Sequence, residues 1–186
     1  LNYFENDFRT ITNDTRPITS VADVEGIKFR VAQTPILVRF FTDLKSLPAS
    51  IAAPEIYTSL QQGTVDGQEN GIIYTYAARF YEVQKYITRT NHIYTAGNIA
   101  IATSIWETLP ADLQEILQKC ADDASMNQRK LNREATDTYI AEMEKAGCEV
   151  HVLSDEAMQE FITIGRSCWD DFTEGFEPGI VELLNE

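Results

Sequence analysis

From Gly26 onward the chain alternates short runs of strand period with longer runs of helix period. Residues 27–31, Ile-Lys-Phe-Arg-Val, alternate apolar and polar positions, which is the period of a strand. Residues 35–46 carry Ile36, Phe40, Phe41 and Leu44 at helical spacing, and 47–52 read as a second strand. Pro54 opens a helix where a missing N–H costs little, and Gly63 ends it. The polar stretch 65–71 predicts a turn, 72–81 a helix, 84–94 an extended segment and 98–103 a further strand.

Pro110 and Asp112 then start a helix whose apolar positions recur as far as Met143 and stop at Gly147. If continuous, it is about 55 Å long at 1.5 Å per residue; a break near Asn127-Gln128 is the other reading. A strand over 149–153, a Ser154-capped helix to about Glu174 and a terminal helix over 178–185 complete the pattern. Strands alternating with helices predict an α/β layer with a parallel-rich sheet.

Composition narrows the function. The chain has 29 acidic and 15 basic residues, a formal charge of −14, which argues against nucleic acid and anionic membrane surfaces as partners. A small anion remains compatible, because one well-placed Arg acts locally. No apolar run approaches the ~20 residues that span a bilayer. The first residues carry neither a basic nor an apolar leader pattern, so no signal peptide is expected within the chain. Cys120, Cys148 and Cys168 are odd in number and widely spaced, which fits buried thiols better than a disulfide framework or zinc site.

Arg30 stands out among polar residues. It falls near the end of a strand expected to be buried, where α/β sheets favour ligands. A buried guanidinium needs a partner, and its planar fork matches a carboxylate. That partner is either a ligand or one of the chain's own acids. The loop Asp66-Gly67-Gln68-Glu69-Asn70 offers amides that could orient a polar ligand, or is an ordinary turn. His92 and His151 have no metal-ligand companions at suitable spacing and read as structural histidines. The aromatics Phe40, Phe41, Tyr57, Tyr74, Tyr76, Phe80 and Tyr81 fall at helical spacings, so core packing explains most of them. There is no nucleophile–base constellation, phosphate-binding glycine loop or metalloprotease motif, so no enzyme, cofactor or metal is expected.

Taken together, several strings in order resemble the DctP-type solute-binding proteins of TRAP (tripartite ATP-independent periplasmic) transporters. They are Phe8-Arg9, Thr12-Asn13, Arg16-Pro17-Ile18 and residues 22–31, followed by Glu55-Ile56-Tyr57, residues 60–63 and 65–70. Residues 80–86, Asn91-His92, Trp106, Leu109-Pro110 and residues 112–114 continue the series. The resemblance implies a two-lobed Venus-flytrap fold of the type II periplasmic-binding kind, with a long helix crossing between lobes. It also implies that the N-terminal part of the first lobe is absent, so that the chain is a truncated member with apolar surface exposed and prone to self-association. The expected division is 1–94 in the second lobe, 95–135 in a returning first-lobe segment with the start of the spanning helix, and 136–186 back in the second lobe.

By the same resemblance Arg30 holds a ligand carboxylate, Asn70 shares the site and Arg9 lines it. Glu69, Gln33 and Ala53 complete the ligand-binding set, with Ala53 standing where some sugar-acid binders carry an aromatic. His92 belongs to a polar network near the hinge. Gly71 replaces the family's usual Pro after the Asn, which implies a looser loop. The implied function is extracytoplasmic or periplasmic capture of a small organic acid and its delivery to TRAP membrane subunits, without insertion into the membrane. An extracytoplasmic sensing module of the same fold is the alternative.

Overall fold

The computed structural model describes residues 1–173, 177 and 179. Its elements in chain order are β1 (Asn2–Asn13), β2 (Lys28–Val31), α1 (Pro35–Asp43), β3 (Leu47–Ser50), α2 (Ile56–Gln61), β4 (Gly67–Gly71) and α3 (Ile72–Ala77). They continue with β5 (Tyr86–Arg89), β6 (Tyr94–Ile99), α4 (Thr103–Trp106), α5 (Ala111–Lys145), β7 (Glu149–Val152) and α6 (Asp155–Ser167). The main sheet has the order β3-β2-β4-β1-β5-β7, and β6 pairs with β1 off that path.

The α/β class holds, but the sheet is mixed. Parallel pairing joins β2 to β3, β2 to β4 and β5 to β7, whereas β1 runs antiparallel to β4, β5 and β6. The period of residues 2–13 hides this strand, because its last four positions are all buried and three of them are polar. Thr10 and Thr12 tolerate burial because the ladder and their side chains are hydrogen-bonded, Thr10 Oγ1 donating to the Asn70 carbonyl at 3.0 Å and Thr12 Oγ1 to Gln84 Oε1 at 2.9 Å; Asn13 Oδ1 accepts from Thr15 N and Arg16 N.

The expected turn at 65–71 is also corrected. Gly67–Gly71 is a strand buried at every position, paired with β1 on one side and β2 on the other. A central strand of Gly, Gln, Glu and Asn survives burial only with its polar groups satisfied. Gln68 Nε2 donates to Thr12 Oγ1 at 3.0 Å, and Asn70 Nδ2 donates to Gln68 Oε1 at 2.6 Å. Gly67 is required by crowding: a Cβ there would stand 2.5 Å from the Thr12 carbonyl oxygen and 2.6 Å from the Phe29 ring.

Strand alternation sends Phe29 and Val31 to one face and Arg30 to the other. On the first face Ile11, Phe29 and Val31 pack with Leu37, Phe40 and Phe41 of α1 and with Ala157 and Phe161 of α6. Each large apolar side chain so buried contributes about 1.5–3 kcal/mol. Separate clusters centre on Ile56, Leu60, Val65 and Phe80, and on Ile72, Ile87, Met143 and Cys148. Tyr76 of α3 stacks on Tyr139 of α5, with ring centroids 4.2 Å apart.

The two halves of β1 do different work. Residues Arg9–Asn13 sit in the main sheet, while Asn2–Phe8 pair only with β6, and the register shifts between Glu5 and Asp7. Asp7 has φ 97° there; its Oδ1 accepts from Phe8 N at 2.8 Å and its Oδ2 faces Ile73 N at 3.4 Å. Burial pushes the Asp7 carboxyl up from its ordinary value.

Helix α5 runs unbroken through Asn127-Gln128 for 35 residues, about 52 Å. Gln128 is itself an anchor: its Oε1 accepts from Glu5 N at 3.0 Å and its Nε2 donates to Glu5 O at 2.7 Å. Leu113, Ile116, Leu117 and Leu131 are exposed along the same helix.

Smaller differences follow from local contacts. The extended reading over 84–94 divides into β5 and the start of β6, and 98–103 is strand only to Ile99. Cys148 and Cys168 are buried free thiols as expected, but Cys120 is exposed on the uncovered side of α5. Ser154 caps α6, accepting from Ala157 N at 3.2 Å, and the helix ends at Ser167 rather than near Glu174. The helix expected over 178–185 lies, apart from Gly179, outside the described residues.

Candidate functional site

The polar residues singled out in the sequence converge at the end of β2 and β4. Antiparallel register sets Arg9 opposite Gly71 and Ile11 opposite Glu69, while parallel register sets Arg30 beside Gln68. The Glu69 carboxylate, fully buried, is the centre of the cluster. Arg9 engages it with both arms of its fork: Nε donates to Oε2, and Nη2 donates to Oε1 at 2.7 Å. The same Nη2 donates to the Glu69 carbonyl at 2.8 Å and to Asn70 Oδ1 at 3.1 Å. Ala32 N donates to Glu69 Oε1 at 3.3 Å.

His92 closes the cluster from the far side. Its Nε2 lies 3.6 Å from Glu69 Oε2, longer than an ordinary hydrogen bond, and its Nδ1 lies 2.7 Å from Thr90 Oγ1. The ring stacks on Phe40 at 5.6 Å and meets Phe41 edge-on at 5.9 Å. Burial alone would raise the Glu69 pKa. The contacts with His92 and Arg9 outweigh it and hold the carboxyl below its ordinary value.

Arg30 is held differently. It is only 4% exposed, and its Nε donates to the Ile51 carbonyl at 2.8 Å. Its Nη1 is 3.9 Å from Glu69 Oε1, close enough for attraction but not for a hydrogen bond. Among the described residues, no protein acceptor lies within hydrogen-bond distance of either outer nitrogen. Burial lowers the Arg30 pKa and the neighbouring Arg9 charge lowers it further, while the Glu69 carboxylate partly offsets this. The internal acid therefore serves Arg9 first. Two guanidinium groups share one carboxylate, leaving a fork and one positive charge over.

Of the remaining expected residues, Gln33 and Ala53 are exposed and make no side-chain hydrogen bond among the described residues. Gln33 follows Ala32 in the loop leaving β2, and Ala53 follows Ile51 by two positions, so each flanks a backbone group that fixes the cluster. His151 lies on β7, next to Glu149 at 3.9 Å, outside the cluster.

Sequence reasoning named Gln68 only among the loop amides and gave Thr12 and Gln84 no role; together they form the hydrogen-bonded series that braces Asn70. Reading 66–70 as a strand would have found Gln68, because residues two apart share a face. Tyr74, one of seven aromatics of which core packing was expected to explain most, is 41% exposed.

The ionised Glu69 ties stability to pH. Its folded-state pKa lies below the ordinary 4.5, so the unfolded chain takes up the proton first as pH falls. The contribution is complete above about pH 4.5 and is lost as pH drops through the folded value. Urea unfolding of the chain and of Glu69→Gln should show a stability gap at pH 7 that narrows below about pH 4.5. A gap that stays constant on acidification would contradict this assignment.

Residues 1–175 match the family described as DctP, bacterial extracellular solute-binding protein, family 7. Over 150 residues the chain is 34% identical to the 2,3-diketo-L-gulonate-binding periplasmic protein YiaO of Escherichia coli (strain K12), covering 81% of this chain and 46% of that one. A TRAP periplasmic solute-binding protein from Ochrobactrum anthropi matches with a TM-score of 0.91 and 34% identity, over 99% of this chain and 57% of that one. Another, from Roseobacter denitrificans and with L-galactonate bound, matches with a TM-score of 0.84 and 32% identity, over 99% and 60%. The chain spans about half to three fifths of the length of these proteins. Their two-lobed periplasmic-binding fold accounts for the mixed sheet and the long helix α5. This chain belongs to the DctP family of bacterial extracellular solute-binding proteins.

Proposed function

We propose that the chain is the carboxylate-recognising part of an extracytoplasmic solute-binding protein. It captures a small organic acid and delivers it to a TRAP-type membrane transporter; it does not transform the ligand. The observation that carries this reading is Arg30: a buried guanidinium whose Nε is tied to Ile51 while its outer nitrogens have no protein acceptor among the described residues. A carboxylate completes such a fork with two charge-assisted hydrogen bonds. Glu69 neutralises Arg9 and leaves the charge of Arg30 for the ligand, and Asn70, fixed by Arg9 and Gln68, orients it.

Similar proteins support the class of ligand. YiaO is named for binding 2,3-diketo-L-gulonate, the Roseobacter denitrificans protein carries L-galactonate, and a 27% identical relative from Shewanella oneidensis carries succinate. All are carboxylates. No helix among the described residues is long and apolar enough to cross a membrane, which agrees with a protein that meets the transporter from outside the bilayer.

The lobes divide, on this reading, with 1–94 and 136–173 in one and 95–135 in the other, apart from the start of β1. The pairing of Asn2–Phe8 with β6 supports grouping the start of β1 with the latter. Closure of two lobes about the anion is then a hinge motion at the β1 register shift and along α5. Calorimetric titration with small acids and their uncharged amides tests the function. The acids bind saturably and the amides do not; equal binding of both would remove the carboxylate reading.

A further inference from the structure

Among the described residues, Asp7 alone combines a place inside a strand with a side chain and a positive φ. Its φ is 97°, whereas Lys45, Arg79 and Asn91 take positive φ in turns or loops. Such a backbone costs a non-glycine residue free energy and persists only where its surroundings fix it. Asp7 is 7% exposed and forms no ion pair among the described residues, so an acid is buried there without a counter-charge. Its hydrogen bonds are to the backbone. Oδ1 accepts from Phe8 N at 2.8 Å, and Oδ2 reaches Ile73 N at 3.4 Å, the long end of a hydrogen bond.

Ile73 is the second residue of α3, and Gly71, at the N-cap, has no side chain to accept from it. Asp7 supplies from the neighbouring strand the oxygen that a local cap would supply. It does so by lying directly over Gly71: a Cβ there would stand 2.9 Å from Asp7 Cβ and 3.1 Å from Asp7 Oδ2. Gly71 is the seat of the Asp7 side chain, and the space it leaves is filled. The residue before that seat is Asn70.

The place of Asp7 along β1 gives this contact a purpose. Two residues earlier, Glu5 is clamped to α5, its backbone by Gln128 and its carboxylate by Arg133. Two residues later, Arg9 grips Glu69 and Asn70. Asp7 stands between these anchors, at the register shift, and ties the bend of the strand to the start of α3.

We propose that Asp7 is a positioning residue: it caps α3 from β1 and so fixes the corner at which Asn70 meets the ligand. It acts through Asn70 and not on the ligand itself. This inference rests on the reading of Asn70 as a residue that orients a bound acid, and adds a group outside the cluster around Glu69.

The test is calorimetric titration with L-galactonate and succinate of the parent chain, Asp7→Gly, Asn70→Ala and the double variant. Glycine adopts φ 97° without strain, so Asp7→Gly removes the carboxylate and leaves the bend acceptable. It should weaken the acid that the parent chain binds by about fivefold, the scale of a lost helix cap. In the Asn70→Ala background the same change should alter affinity by less than about twofold, because two residues that act through one contact are not additive. Denaturant unfolding of Gly71→Ala supplies the second measurement. The added methyl should destabilise the parent chain and be tolerated once Asp7 is replaced by Gly. An unchanged affinity of Asp7→Gly, an equal loss in both Asn70 backgrounds, or a Gly71→Ala cost that Asp7→Gly does not relieve would each overturn the role of Asp7 and leave the carboxylate reading standing. A parent chain that binds neither acid would overturn that reading and the part of Asp7 in it.

Discussion

Replacing Arg30 with Ala should weaken binding of the acid by about a hundredfold or more while leaving the fold intact. Truncating one side of a buried, hydrogen-bonded charge pair costs 2–5 kcal/mol, and each 1.4 kcal/mol is a factor of ten. The loss falls on binding rather than folding because Arg30 makes one protein hydrogen bond, to the Ile51 carbonyl, and only a 3.9 Å approach to Glu69. Arg30→Lys should recover little of the affinity, since an ammonium cannot give two parallel hydrogen bonds to a carboxylate. Titration of both variants with an acid that binds the parent chain checks this. An affinity for Arg30→Lys within about threefold of the parent would show that charge alone matters and would contradict the fork geometry.

Glu69→Ala should have the largest effect on stability, about 3–5 kcal/mol, because it leaves buried guanidinium groups without their counter-ion. Arg9 would lose two of its four hydrogen bonds with residues 69 and 70, both to the carboxylate, and keep those to the residue-69 carbonyl and Asn70 Oδ1. Arg30 and His92 would lose their nearest acid. For a chain of this size that corresponds to a fall of about 10 °C or more in melting temperature. Denaturant unfolding of the parent and variant measures it directly. A loss below about 1 kcal/mol would mean that Glu69 is not the electrostatic centre of the site. On the proposed reading the two variants separate roles that lie side by side: Arg30 is expected to act mainly on the ligand, Glu69 mainly on the architecture that presents Arg30.

Much of this was legible in local sequence and some was not, for physical reasons. Strand β2 and helix α1 follow from period alone, because one face of each packs against the core and the other does not. Strand β4 could not be read that way. Its polar residues are buried on both faces, and their acceptability depends on β1, β2 and on Gln84, partners distant in sequence. The antiparallel course of β1 was hidden for the same reason.

Arg30, Arg9, Glu69, Asn70 and His92 were named from motifs, and the fold brings all five together. What the motifs did not contain was the hierarchy: that Arg9, not Arg30, is the main partner of Glu69. That hierarchy decides which guanidinium is left for a ligand. The exposure of Tyr74 was not legible because helical spacing says which residues share a face, but not whether anything covers that face. The same ambiguity explains Cys120 and the exposed leucines of α5.

The central claim is that a small organic acid binds this protein through Arg30. The measurement that tests it most directly is the melting temperature of the chain and of Arg30→Ala across a panel of small organic acids, since a ligand that binds only the folded state raises it. The account predicts that at least one acid raises the melting temperature of the parent chain and leaves that of Arg30→Ala unchanged. An acid that raises both equally, or a panel that raises neither, would contradict it.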